Sequence, residues 1–341
     1  MEASLDRGRT GPPALLRSAP ARRAPALPRR TRVAHRMATI QQEIIAFFES
    51  FEPEQRFLED SWERPGGGGG VARVLTDGET FEKVGVNWSQ VFGPVPAPLQ
   101  EHLDGAAELG PLGEFFATGV SVVAHPRSPM VPIVHLNVRF FELADPEGRP
   151  VDGWFGGGCD LTPTYPHPED AASFHRGLRT LCRAHGPNLY REFKEACDGY
   201  FVNTHRDNEP RGVGGLFFDH LRSGDRGMDW SSIFGLVQDV GTSLTSVYGP
   251  IVARRRHESY GEEEREFQLR RRGRYVEFNL VHDRGTRFGL QTAARIESVL
   301  MSLPPMARWP YDPQPEPGSF EETFFEMLRP RDWADWTPPS S

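Results

Sequence analysis

Residues 134–140 read VHLNVRF, and strict alternation divides them between two sides of one strand. Val134, Leu136, Val138 and Phe140 form an apolar face, while His135, Asn137 and Arg139 form the other. Side chains two residues apart on a strand stand about 7 Å from one another. An acid/base group, an amide and a fixed cation are therefore expected in one line. The stretch RYVEFNLVHDRGT, residues 274–286, alternates in a similar way. Val276, Phe278, Leu280 and His282 share one expected face, and Tyr275, Glu277, Asn279, Val281 and Asp283 share the other. Two such strands describe a sheet that buries one side and lines a cleft with the second. Plain solvent exposure is the competing reading, and the His-Asn-Arg line favours a site.

Other residue types allow less. His125, His135, His175 and His205 are far apart, and none has the i, i+4 partner of a helical metal motif. Each is read either as a structural group, as an isolated acid/base or as a metal ligand. No G-x-S-x-G elbow occurs, and no local signature pairs a cysteine with a catalytic histidine. The glycine run at 66–70 is followed by the strand-like VARVL rather than by a helix start, so it reads as a mobile hairpin or lid loop, not a phosphate cradle. The arginine runs at 254–256 and 270–272 flank the acidic run 262–264 and read as a solvated, ion-paired helix face.

The elements that must carry these residues follow from periodicity. Strands are expected at 81–88, 119–124, 131–142 and 274–282, and helices at about 169–185, 188–205, 230–248, 260–271 and 294–303. SFEE at 319–322 announces a last helix through a capping box. Strands and helices do not alternate regularly and no dinucleotide fingerprint follows a strand, which points to an α+β domain with an antiparallel sheet. No linker divides residues 37–341.

The first 36 residues hold nine arginines against Glu2 and Asp6, and the rest of the chain holds 30 basic and 45 acidic residues. A core near −15 is a poor non-specific nucleic-acid binder. Helical periodicity opens at Met37, so residues 1–36 read as an over-long start or a targeting segment outside the fold. No run of 18 apolar residues exists to span a membrane. Three cysteines without a C-x-x-C pair suit a reducing compartment, and a cytoplasmic address is expected.

At WFGGGCDLTP (154–163), YFVNTHRDNEPRGVGGLFFDHL (200–221) and YVEFNLVHDRGTRFGLQTAARIESVLMSLPP (275–305) the chain resembles the oxygen-dependent coproporphyrinogen III oxidases. WERPGGGGG, GVNWSQV, GVSVVAHPRSPMVPIVHLNVRFF and LRPRDW extend the likeness over nearly everything from Met37 onward. The resemblance implies a single domain with a large antiparallel sheet flanked by helices on both sides, acting as a homodimer joined through roughly residues 272–305. It implies conversion of the A- and B-ring propionates of coproporphyrinogen III to vinyl groups, giving protoporphyrinogen IX, with O2 as co-substrate and no organic cofactor.

The same resemblance assigns roles by position. His135 falls at the family's proton donor and Asp283 at an aspartate facing the pyrrole N–H groups. Ser121, Asn137, Val138, Arg139, Ala293, Ala294 and Arg295 fall at substrate contacts, with Arg139 and Arg295 as propionate clamps. His125, His135, His175 and His205 fall at positions given as divalent-metal ligands in bacterial relatives, which leaves a metal open. Departures occur at Ala293 and Ala294, where the family has a Gly-x-Arg turn, and at Gly153 and His220, where it has an aromatic residue and an aspartate. The HRDNEPRG loop is also one residue longer. Two rival readings stay open: a metal-dependent oxygenase acting on another substrate, and a tetrapyrrole carrier without catalysis. Retention of His135, Arg139 and Asp283 speaks against the carrier.

Overall fold

The computed structural model describes residues 28–95, 109–291, 295–311, 313 and 316–338. Seven strands form one antiparallel sheet: β1 (Leu58–Glu63), β2 (Gly68–Thr76), β3 (Phe81–Pro94), β4 (Glu114–Pro126), β5 (Ile133–Ala144), β6 (Pro150–Thr162) and β9 (Gly214–Arg222), lying side by side in that order. The short pair β7 (Val202–Asn203) and β8 (Glu209–Pro210) stands apart from it. The helices are α1 (Arg29–Glu49), α2 (Pro168–Arg183), α3 (Leu189–Tyr200), α4 (Trp230–Gly241), α5 (Leu244–Val247), α6 (Gly249–Arg255), α7 (Glu262–Glu277), α8 (Arg284–Gln291), α9 (Ile296–Leu300) and α10 (Phe320–Leu328). The α+β architecture with a large antiparallel sheet and flanking helices is the expected one.

The alternation in β5 works as written. Val134, Leu136 and Val138 are completely buried, and Phe140 nearly so, in the main core beneath α1, α2 and α4. Each α1 residue that faces the sheet, from Val33 through Ile40 and Ile44 to Phe48, follows the helical spacing that stacks one face on a core. Gln41 on that face donates to the backbone carbonyls of Val71 and Val86 at 2.7 and 3.1 Å, tying the helix to β2 and β3. α1 begins at Arg29 rather than at Met37. Val33 is fully buried, and Arg30 donates through Nε to Glu142 at 2.6 Å, a carboxylate 2% exposed.

Two other expectations change, at 274–282 and at 230–248, while the glycine run forms a hairpin, one of the two forms expected of it. The segment 274–282 is not a strand: α7 runs through Glu277 and continues as a turn of π-helix at Phe278–His282. Its buried residues Gln268, Arg271, Arg272, Tyr275, Val276, Phe278 and Asn279 recur at three to four residues. Two of those core positions are arginines, which hid the helical period and left only a local alternation visible. Arg272, wholly buried, pairs with Glu82 at 2.8 Å and donates to the Pro126 carbonyl at 2.9 Å. The glycine run is a hairpin whose turn takes positive φ at Gly67 and Gly68, with Gly68–Gly70 paired to Val91–Ser89 inside the sheet. The expected helix 230–248 breaks between Gly241 and Leu244. Strands β6 and β9, rich in glycine, had no period to announce them. The capping box at 319–322 forms in part: Ser319 accepts from the Glu322 N–H, while the Glu322 carboxylate takes the Gly318 N–H.

Removing residues 29–36 would strip Val33 from the core and leave Glu142 buried without Arg30. A chain beginning at Met37 is expected to melt roughly 5 °C below one beginning at Arg29. Equal melting temperatures in a thermal scan would show that this first part of α1 contributes nothing.

Candidate active site

The face of the sheet opposite the main core carries the polar side chains. Directly paired residues in an antiparallel sheet share a face. One row crosses all seven strands: Asp60, Ala72, Asn87, Ser121, Asn137, Gly158 and Phe217. Beside it run Val123, His135, Asp160 and Gly215 on one side and Ser89, Gly119, Arg139 and Gly156 on the other. Ser121, His135, Asn137 and Arg139 therefore meet on one surface, as their sequence positions implied.

His135 is anchored from below. Asp160 Oδ1 accepts from His135 Nδ1 at 2.8 Å, and Asp160 Oδ2 accepts from Arg211 Nη2 at 2.6 Å. Both side chains of this ion pair are 2–3% exposed. Burial pushes the Asp160 carboxyl up, but the Arg211 charge and the His135 hydrogen bond outweigh it and hold the acid below its ordinary range. An ionised Asp160 fixes the proton of His135 on Nδ1, leaving Nε2 as the nitrogen that can exchange one. Arg211 lies against the rings of Phe201, Tyr275 and Phe278, 4.0 to 4.8 Å from their centres.

Arg139 lies flat on the sheet. Its Nη1 donates to Asn137 Oδ1 and its Nη2 pairs with Asp219 Oδ1, each at 2.8 Å. A Cβ at Gly156 would stand 2.8 Å from the guanidinium carbon, so the missing side chain is what gives Arg139 its bed. Arg284 approaches the other oxygen of Asp219 at 3.7 Å. Arg139 itself is over a third exposed and open to a further anion.

Asp283 enters from the turn after the π-helix. Its Oδ1 accepts from the Tyr200 hydroxyl at 3.1 Å, and its Oδ2 caps α8 by accepting from the Thr286 N–H at 2.7 Å. Tyr200 stacks on Phe217, ring centres 4.2 Å apart, so Asp283 stands at the end of the Asn137 row. Arg295 marks the opposite end, forking onto Asp60 with one bond of 3.0 Å. The segment bearing it lies on this face: Met301 packs over Gly85, and the Ser302 and Leu303 carbonyls accept from His125 and Lys83.

Several expected site residues sit elsewhere. Val138 points its side chain into the main core and is fully buried there, so only its backbone faces the cleft layer. Ala293 and Ala294 lie outside the described residues. The four histidines are not gathered. His125 donates to Ser302 and is pulled down to about 3 by burial and the Arg272 charge. His175, within α2, is held between the Tyr190 hydroxyl and the Val213 carbonyl, and burial with the Lys194 charge pulls it to about 3. His205, in a turn beyond α3 rather than on it, meets His282 at 2.6 Å and Glu277 at 3.0 Å. Among the described residues no group of three or more His, Cys, Asp or Glu is arranged to hold a metal. The set does not fit one ion.

Asp160, Arg211, Tyr200, Phe217 and Asp219 were missed in the sequence. The only signal for the first was an acid flanked by Cys159 and Leu161 in an otherwise apolar, glycine-rich stretch. Nothing local marks the others, which matter through partners far along the chain.

The surface brings a histidine supported by a carboxylate and a partly exposed arginine together on one face of an antiparallel sheet. A family model, that of coproporphyrinogen III oxidase, matches residues 32–333, most of the chain, and the chain belongs to that family.

Replacing Asp160 with Asn leaves the Arg211 charge buried and unpaired, and should cost about 3 kcal/mol of stability. Because the folded-state acid lies below the unfolded value of about 3.9, this contribution is fully present above about pH 4 and is lost as pH falls further. The gap between wild type and Asp160→Asn in urea melts should stay constant from about pH 8 to about pH 5. A gap below about 1 kcal/mol, or one that fades within that range, would refute the buried-pair account.

Proposed function

We propose that the chain is an oxygen-dependent oxidase that converts the A- and B-ring propionates of coproporphyrinogen III to vinyl groups in porphyrin biosynthesis. The observation that carries this is the row ending at Asp283, flanked by the supported His135 and the flat-lying Arg139. Its substrate is a flexible macrocycle with four pyrrole N–H groups and four carboxylates. A propionate needs a cation, and Arg139 supplies one in a fork that can take both carboxylate oxygens. An N–H group needs an acceptor, and Asp283 supplies one near the aromatic pair Tyr200 and Phe217. Pyrroles drawn towards that carboxylate become more electron-rich and so more open to O2.

In each of the two rounds a propionate side chain and O2 become a vinyl group, CO2 and H2O2. A hydroperoxide formed on the activated pyrrole takes up the β-hydrogen as a proton and leaves as H2O2 with the electron pair of its carbon–oxygen bond, the C–H electrons passing into the ring system. The carbon–carboxyl bond then breaks, and its electron pair closes the vinyl double bond and restores the pyrrole as CO2 departs. The chain orients the substrate and stabilises charge, while His135 Nε2 moves the proton. No organic cofactor enters this scheme, and the chain is read as a cytoplasmic homodimer. No helix of the described residues is long and apolar enough to cross a membrane.

Asp283→Asn keeps an acceptor for the Thr286 N–H, so the α8 cap should survive. Turnover should fall at least about a hundredfold while coproporphyrinogen binding is retained. Near-normal turnover in that variant would refute the role given to Asp283. The wild-type protein, incubated with coproporphyrinogen III, should yield protoporphyrin after oxidation in air but not under nitrogen. Loss of product with a strong chelator, restored by one metal, would favour the oxygenase reading; unchanged coproporphyrin from an aerobic sample known to bind it would favour the carrier.

A further inference from the structure

Asn87, within the GVNWSQV stretch, stands in the middle of the polar row, between Ala72 and Ser121, yet the resemblance gives it no role. Its neighbours along the row are Ser121 and then Asn137, so three polar side chains cross three adjacent strands on one face. Adjacent strands lie about 4.8 Å apart, which places Asn87 and Asn137 on the order of 10 Å from each other. That distance is comparable to the width of a four-pyrrole ring. Beyond Asn87 the row ends at Asp60, which holds Arg295. Asn87 and Ser121 are thus the polar groups between the two arginines proposed to clamp propionates, and Asn87 is the one on the Arg295 side.

Its hydrogen bonding is incomplete. The Asn87 Oδ1 is cut off from water and accepts no bond from any described group. Buried acceptors are nearly always satisfied, and one that is not carries a cost that folding alone does not repay. The terminal torsion of an asparagine is broad, so the carboxamide can turn its oxygen into the cleft when a donor arrives there.

We propose that Asn87 is a further substrate-binding residue whose side-chain carbonyl accepts a pyrrole N–H of the tetrapyrrole. The inference rests on the proposed function for its ligand. Carboxylates offer no hydrogen to that oxygen, whereas pyrrole N–H groups are donors only. Asn87 and Asp283 then engage N–H groups from two sides of the ring, while Arg139 and Arg295 engage its acids.

The test is Asn87→Leu, which keeps size and removes the carboxamide. Binding of coproporphyrinogen III is followed by calorimetry under nitrogen, where no turnover occurs, and stability by thermal melting. A substrate contact predicts binding weakened roughly five- to tenfold with an unchanged or higher melting temperature, because an unpartnered buried acceptor has been removed. A lower melting temperature with unchanged affinity would make Asn87 a structural residue and overturn the proposal, as would wild-type behaviour in both measurements. Asn87→Ser, which restores a small acceptor, should recover part of the affinity. A wild-type chain that binds coproporphyrinogen but does not convert it in air refutes the oxidase reading alone; one that does not bind it refutes both.

Discussion

The ion pair between Asp160 and Arg211 is the interaction on which the polar face of the sheet depends. Two nearly buried charges meet at 2.6 Å, and each would be costly in that environment without the other. The pair fastens β6 to the loop that precedes β9, and through Arg211 it reaches rings from the end of α3, from α7 and from the π-turn. The remaining Asp160 oxygen orients His135. One carboxylate therefore sets the tautomer of His135 and, through Arg211, holds down the segment that carries Asp283.

A second constraint comes from the sheet having two unlike faces. One is filled by α1, α2 and α4 over Val134, Leu136, Val138 and Phe140, and it supplies most of the burial that stabilises the fold. The other is left low by glycines at 119, 156 and 158, so that long polar side chains can lie along it. Arg139 is the clearest case, because its guanidinium occupies the space that a side chain at 156 would take. The two cleft arginines are each paired with an aspartate of an edge strand, Asp219 for Arg139 and Asp60 for Arg295. Any anion that approached either arginine would have to share or displace those partners.

The histidines make the complementary point. A histidine buried near a cation, with backbone carbonyls for partners, stays neutral and holds chain segments together, as His125 does for the Ser302 carbonyl and His175 for Val213. Of the four histidines, His135 is the one that stands in the polar rows of the sheet with a carboxylate partner on one nitrogen and partial exposure.

Alternation in β5 determined by itself which residues face the core and which face the cleft, because a period of two has no other solution in a half-buried strand. The long motifs likewise fixed the family and the α+β class. The tertiary structure alone decided the rest, for reasons of partnership rather than pattern. Arg271 and Arg272 count as polar in any periodicity, yet buried carboxylate partners make them core residues, and so 274–282 is helix and π-turn instead of strand. Glycine strands carry no alternation, so β6 and the floor it forms were silent. Asp160, Arg211, Tyr200 and Asp219 act through contacts with residues tens of positions away, and no local spacing encodes such a contact.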